Sequence, residues 1–560
     1  MPERFDRRGF IARGGALAGA LVLGGAGGGL LEGCSSSSSS SSTGKLSASE
    51  RAGISNAQPA HGGSLVFGTD AEEEGFDPAN DTFDEAGVMY ARTVFDPLAI
   101  VAKDGSIQPY LAQSITPNPD YTSWTITMRP NVVFHDGTPC DARAVVGSIE
   151  HYLSGTLGLL VKSLITDVVP TSELTLQVSL TQPWVPFPAY LAGGIGGQLA
   201  YILAPAMIAS KNAATHPIGT GPFVFEEWVP NEYFSATRNP HYWRPGMPYL
   251  DRIEYRPIPS AESRVESLKA GTIDIMHTAT PQAIVQFQDD YSYAYIDDRH
   301  GVVGEPDMNF ILLNMQSPPL DDIRVRKAMA MAIDRDAVSK VIDIGVNAPT
   351  DSPFLPGSPY YVDPGYPSYD PSAAKALVAE VERTTGGPVE IILGSTTPAS
   401  SVRAAEFLQN QLQAVGLKVT LAQFEQAEFI NNALFGKNFH AYLWRQFAAV
   451  DPDLNYPFWS PTEVSSFLSV NMARNTDPRV QVQLEKGRES TDPALRDAAY
   501  QEISRLFAQD LPYLWTDRAV WAVVARPEVK NFNNPTTPDG TPAYGMIVGT
   551  IWPTQIWIGA

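Results

Sequence analysis

The segment between Leu443 and Trp459, which the family resemblance given below marks out, carries residues of types suited to binding chemistry. Arg445 supplies a planar guanidinium that can take a carboxylate or phosphate through two parallel hydrogen bonds, or close a salt bridge within the protein. Trp444, Phe447, Tyr456 and Trp459 offer apolar or stacking walls, although such aromatics fit an ordinary core equally well. Asp451-Pro452 either presents a carboxylate or starts a turn. A second run, Glu72-Glu73-Glu74, reads as a solvated stretch; Glu73 or Glu74 turned inward favours a cationic ligand. Side chains of these types are suited to binding, and they assemble no reaction centre. The chain has no Gly-x-Ser-x-Gly elbow, no His-Glu-x-x-His and no Walker loop. Its 8 histidines stand at least 16 residues apart, which leaves no local metal-binding pair. Neither an enzyme, a cofactor nor a resident metal is expected.

Near the amino terminus, Arg7-Arg8 precede an uncharged, glycine-rich apolar stretch and resemble a twin-arginine export signal over residues 1–33. Leu31-Glu32-Gly33-Cys34 resembles a lipobox in which Cys34 carries the lipid, with Glu32 departing from the usual small or apolar residue. The run Ser35–Ser42 has nothing to bury and predicts a flexible tether. Residues 34–61 are thus expected to link a membrane anchor to a body that begins near Gly62, on the outer face of the cell membrane or in the periplasm. A lipidated Cys34 leaves Cys140 without a disulfide partner, so it reads as a small buried apolar residue.

The elements that must position these groups are those of a mixed α/β protein. With 44% hydrophobic and 18% charged residues, the 560-residue chain can bury large cores. Its net charge of −22 repels phosphate backbones, so no nucleic-acid partner is expected. Trp124, Ile126 and Met128 alternate with polar residues, as do Leu174, Leu176, Val178 and Leu180, predicting half-buried strands. Asp141 is placed to cap a helix burying Val145, Ile149 and Tyr152. Asp370-Pro371 and Asp492-Pro493 each pair a capping carboxylate with proline at the first helical position. Gly271 reads as a left-handed helix cap, and a helix after Ser401 leads through Gly416 to a strand at Lys418–Leu421.

Four blocks, in order, resemble the peptide/nickel (family 5) solute-binding proteins of bacterial ABC transporters: Trp124–Pro139, Pro217–Phe223 with Arg238–Trp243, Ser263–Asp274, and Asn314–Asp334. The helix at Asp370-Pro371 and the stretch Tyr500–Trp515 extend the likeness, which covers about residues 62–530. The resemblance implies an α/β, periplasmic-binding-protein-like clamshell of type II, with an extra domain inserted in the first lobe. Lobe one is then expected at 62–110, 216–305 and 511–560, the extra domain at 111–215 and lobe two at 306–510.

It further implies an extracytoplasmic, monomeric binding protein that hands a small, peptide-like molecule to ABC permease and ATPase subunits. A metal chelate, haem or a sugar- or opine-like solute, or presentation of ligand to a sensor, are the other readings. In peptide-binding members, an aspartate three residues before an acid–proline pair takes the ligand's amino terminus. With Asp451-Pro452 as that pair, Ala448 occupies the position, and a methyl group cannot compensate a desolvated ammonium. The expected binding residues are therefore Glu73, Glu74, Trp444, Arg445, Phe447, Ala448, Asp451 and Trp459.

Overall fold

A computed structural model of the protein describes residues 45–194, 196–299, 304–436, 439–465 and 468–559. Arg7, Arg8, Cys34 and the serine run lie outside the described residues. The body begins earlier than expected, because Arg51 of the short helix Ala48–Arg51 donates to the carbonyls of Phe287, Gln288, Asp290 and Tyr293. Residues 45–61 are thus part of the packed body rather than tether.

Two large sheets organise the chain. The first has seven strands in the order Ala294–Asp297, Ala522–Ala525, Ile275–Thr278, Ser64–Thr69, Arg252–Pro257, Tyr233–Arg238 and Phe223–Val229. Ser64–Thr69 runs parallel to both of its neighbours, so its carboxyl end is the kind of position beside which open α/β sheets place ligand sites. The second sheet has six strands: Ala348–Pro349, Tyr513–Arg518, Met308–Leu313, Ala441–Gln446, Glu390–Thr396 and Lys418–Phe424. A separate four-stranded sheet, Ala112–Pro117, Ser123–Met128, Thr175–Leu180 and Ile165–Pro170, carries the two alternating strands read from the sequence.

Local chemistry accounts for many boundaries. The Asp141 carboxylate accepts from the Ala144 amide at 2.9 Å and starts the helix Ala142–Ser154, whose Val145, Ile149 and Tyr152 are buried. Asp370 accepts from the Ser372 and Ala373 amides at the start of Pro371–Thr385, and Asp492 from the Ala494 amide at the start of Pro493–Asp510. Gly271 closes Ala261–Ala270 at φ 73°, a conformation that costs glycine little. Cys140 is buried, as its isolation suggested, and burial pushes its thiol pKa up.

The chain crosses between the two large sheets twice. The crossings are tied together: Asp298 N–H donates to the Trp521 carbonyl at 3.1 Å, Trp521 N–H to the Asp298 carboxylate at 3.1 Å, and Ala519 N–H to the Asp307 carbonyl at 2.9 Å. The strand Tyr513–Arg518 pairs with Met308–Leu313, so the return crossing falls at Ala519–Trp521, later than the expected 511. Its aromatic residues set this: Tyr513 and Trp515 pack edge-on against Phe310 in the second core.

Candidate ligand-binding site

A cluster of charges forms where the crossings meet the two sheets. Asp70 follows the parallel strand Ser64–Thr69, and His277 stands in the neighbouring Ile275–Thr278, with its Nε2 2.9 Å from the Asp70 carboxylate. Asp84 caps the helix Glu85–Val94 by accepting from the Gly87 amide at 3.0 Å, so Asp84 and Glu85 sit at a helix end that favours negative charge. From the second sheet, Arg445 reaches back to within 3.9 Å of Glu85 and 3.7 Å of Asp307. Its guanidinium lies over the Trp521 ring, 4.9 Å from the centroid. Asp307 underlies the group, accepting from the Ala448 amide at 3.3 Å and Trp521 Nε1 at 3.4 Å.

Two features make the cluster receptive. First, Arg445 is held by charge at distances longer than a hydrogen bond, and donates to none of the described residues at full geometry. Its donors are unspent, and its side chain keeps 37% exposure. Second, acids outnumber cations. Burial pushes the Glu85 pKa well above the usual carboxylate range, with Arg445 pulling against it and Asp307, Asp84 and Asp70 adding to the rise. Asp84 is raised by burial and by Asp70. For Asp70, burial is overcome by His277, Arg264 and Arg445, which hold it far below the ordinary value. Burial works against the Arg445 cation, yet Glu85, Asp307, Asp70 and Asp84 keep its pKa raised. An ammonium entering here meets carboxylates already desolvated, and a carbonyl or carboxylate oxygen meets free guanidinium donors.

The residues singled out from the sequence do not converge on one place. Arg445 and Ala448 belong to the crossing region. Trp444 points to the other face of the strand, as the two-residue period requires, stacking on Phe429 at 5.2 Å and donating to Gln446. Phe447 and Trp459 are only 3% and 1% exposed and build the second core instead of walling a ligand site. The cause is local: Phe447 has φ 87°, which turns its ring back to stack on Phe310 at 5.1 Å, and Trp459 packs edge-on against it. Asp451 starts the turn, accepting from the Asp453 amide, and is paired with Arg496. Glu74 is exposed. Glu73 does turn inward, against Gly87 and beside Asp84, where burial and Asp84 push its pKa well above the ordinary range.

Sequence reasoning missed Asp70, Glu85, Asp307, His277 and Trp521. The only local signal was positional, since Asp70 stands just past the end of an apolar strand followed by turn residues. Among the described residues no group of three or more His, Cys, Asp or Glu side chains could hold a metal ion. No helix among the described residues is long and apolar enough to cross a membrane.

Comparison with known proteins agrees with this architecture. Residues 106–466 match the family model described as bacterial extracellular solute-binding proteins, family 5 Middle. Di/tripeptide-binding protein 2 of Pseudomonas aeruginosa (strain UCBPP-PA14) is 27% identical over 487 residues, covering 82% of this chain and 89% of that protein. The nickel-binding periplasmic protein of Escherichia coli (strain K12) is 28% identical over 472 residues, covering 79% and 87%. Among solved structures, the periplasmic binding protein AgaA from A. tumefacien R10, in complex with agropinic acid, superimposes with a TM-score of 0.76 at 22% identity, covering 89% of this chain and 99% of that one.

Proposed function

Because the chain belongs to the bacterial extracellular solute-binding proteins of family 5, a family of non-enzymatic transport components, we propose that it captures short peptides or peptide-like molecules between its lobes and delivers them to an ABC permease. The observation that carries the ligand class is Arg445: a guanidinium with unspent donors, from the second sheet, set among carboxylates of the first lobe and the crossing. A peptide's ammonium would be taken by Glu85 and Asp307, and its first carbonyls by Arg445. Asp307, lying beneath the Ala448 amide, supplies the carboxylate that position 448 lacks. A di/tripeptide-binding relative supports the same class of ligand.

Both walls contribute charges, so ligand would favour the closed arrangement of the lobes through differential contacts. The twin arginines and the Gly33-Cys34 junction support export through the twin-arginine route and anchoring of a monomer by lipid at Cys34. Denaturing the purified body (residues 45–560) and identifying released small molecules by mass spectrometry tests the ligand class. A peptide or amino-bearing molecule supports it. A sugar without an amine, or haem, counts against it, and an empty protein is then titrated calorimetrically with trialanine, whose failure to bind also counts against it.

A further inference from the structure

An open pocket of about 520 Å³ lies apart from the acid cluster. Its walls come from three stretches, Gln113 to Val132, Trp243 to Met247 and Thr536 to Gly540. No residue of 306–510 contributes to it, and neither does any member of the cluster around Arg445. Its charged lining residues are both cations: Arg129, which follows the strand Ser123–Met128, and Arg244.

Tyr110 holds the two guanidiniums in place. Its carbonyl accepts from Arg129 Nε at 2.7 Å, and its hydroxyl accepts from one terminal nitrogen of Arg244 at 3.2 Å. The other terminal nitrogen of Arg244 donates to Thr536 Oγ1 and to the Thr537 carbonyl, both at 3.2 Å, and the residue is 6% exposed. Arg129 lies over the Trp243 ring, 5.3 Å from its centroid, and its two terminal nitrogens donate to none of the described residues. Neither cation has a carboxylate at ion-pair distance among the described residues. Asp539 acts on Arg129, and Asp96 on Arg244, from farther away. Both acids are engaged elsewhere. Asp539 accepts from the Thr541 amide and Thr537 Oγ1, and Asp96 from the Tyr242 hydroxyl at 2.9 Å, Trp243 Nε1 at 2.8 Å and Thr220 Oγ1 at 3.0 Å. Burial pulls the Arg129 pKa down, and the Arg244 charge adds to the fall. Like charges fixed on one pocket repel, and an anion between them replaces that repulsion with attraction.

Charge and size define the anion. Two guanidiniums match a dianion, whereas a lone carboxylate leaves one of them uncompensated. A phosphate monoester carries close to two negative charges at neutral pH and offers three acceptor oxygens to forked donors. The pocket is larger than a bare phosphate and falls in the range of roughly 300–1,000 Å³ usual for small-molecule sites. Val132, Pro245, Met247 and Pro538 wall the remaining space for a compact organic body.

We propose that this pocket is a second binding site, separate from the region between the lobes, for a phosphomonoester whose phosphate bridges Arg129 and Arg244. The site does not depend on what binds near Arg445. The test is calorimetric titration of the purified protein with glycerol 3-phosphate and with acetate. Glycerol 3-phosphate is expected to bind wild type at least about tenfold more tightly than acetate, which brings a single charge. Its affinity should rise between about pH 5 and about pH 7, as the phosphate takes its second charge. Arg129→Met should weaken it about 10- to 100-fold, with Arg129→Lys between. Trialanine should bind R129M as it binds wild type, and should not compete with glycerol 3-phosphate. Undiminished affinity in R129M, or competition by trialanine, overturns the site. Should R129M not fold, wild-type crystals soaked in tungstate decide: density bridging Arg129 and Arg244 supports the site, and density elsewhere alone overturns it. Sedimentation with phosphatidate vesicles, but not with phosphatidylcholine vesicles, without binding of glycerol 3-phosphate would assign the phosphate to a lipid headgroup. Binding of neither phosphate source overturns the proposal and leaves the peptide reading intact.

Discussion

Replacing Glu85 by Gln probes the ammonium end. The carboxyl is 12% exposed and 3.9 Å from Arg445, and burial holds its pKa well above the ordinary range. In the empty protein it therefore carries a proton to a higher pH than an exposed glutamate does. A ligand ammonium favours the ionised form, so binding drives that proton off. The sign follows: below the pKa of the peptide amine, affinity rises with pH as Glu85 ionises in the free protein, and levels off above that point. Two unit charges about 4 Å apart interact by roughly 4 kcal/mol at an effective dielectric of 20. Desolvation of the ammonium and loss of the proton offset part of this, leaving the roughly 1.5–3 kcal/mol typical of a hydrogen bond to a charged group. E85Q should thus weaken trialanine about 10- to 100-fold. Titrations at pH 5.5–7 in two buffers of different ionisation enthalpy read both quantities at once. Wild type should release a proton and E85Q should not, while N-acetyl-trialanine should bind both proteins weakly. Unchanged affinity with unchanged proton release in E85Q would refute the assignment of Glu85 as an ammonium partner.

Three further outcomes follow from other parts of the molecule. Asp453 is wholly buried, holds Arg488 at 2.9 Å and accepts from Trp184 Nε1 at 2.7 Å, so D453N should lower stability by about 3–5 kcal/mol in urea unfolding by stranding the arginine. Burial pushes Asp298 up to about 8, despite the hydrogen bond from the Trp521 amide. The folded state then binds a proton that the unfolded chain has released, so this group's contribution to stability is full below about pH 4 and is lost as pH rises to 8. The fall in Tm over that window should be shallower in D298N, and equal slopes would exclude Asp298 as its source. C34S in the full-length chain should shift the protein from the membrane fraction to the soluble extracytoplasmic fraction; unchanged membrane retention would remove Cys34 as the anchor.

The elements were legible because their signals are local. Asp141, Asp370 and Asp492 cap the helices they precede, and the alternation at Trp124–Met128 appears as alternating burial. Arg51 was misread as tether because what recruits it, a set of carbonyls between Phe287 and Tyr293, lies far along the chain. The same reason hid most of the site. Asp70, Glu85, Asp307 and Arg445 come from a strand end, a helix start, a crossing and a strand of the other sheet, and no spacing rule connects them. Within the one segment the sequence did single out, a positive φ at Phe447 decided which side chains turn into the core.

The family resemblance implies an aspartate at the position of Ala448 when Asp451-Pro452 is taken as the acid–proline pair, and the surroundings of Ala448 bear on what a carboxylate there would do. A carboxylate on residue 448 would stand beside Asp307, which already bonds that residue's own amide, and two acids so close repel each other. With alanine there, position 448 adds no second acid, the Asp307 carboxylate meets the Ala448 amide, Trp521 Nε1 and the Arg445 guanidinium, and the small side chain lines a cavity of about 30 Å³. On this reading, one substitution moves the ammonium from a side chain of lobe two to carboxylates at the crossing and on the helix Glu85–Val94. Restoring the aspartate should therefore weaken binding rather than improve it. Ala448→Asp would place like charges together and fill the cavity, so trialanine should bind it less tightly than wild type in the same calorimetric assay. Tighter binding by A448D would mean that the ammonium still seeks position 448, and that Asp307 does not replace it.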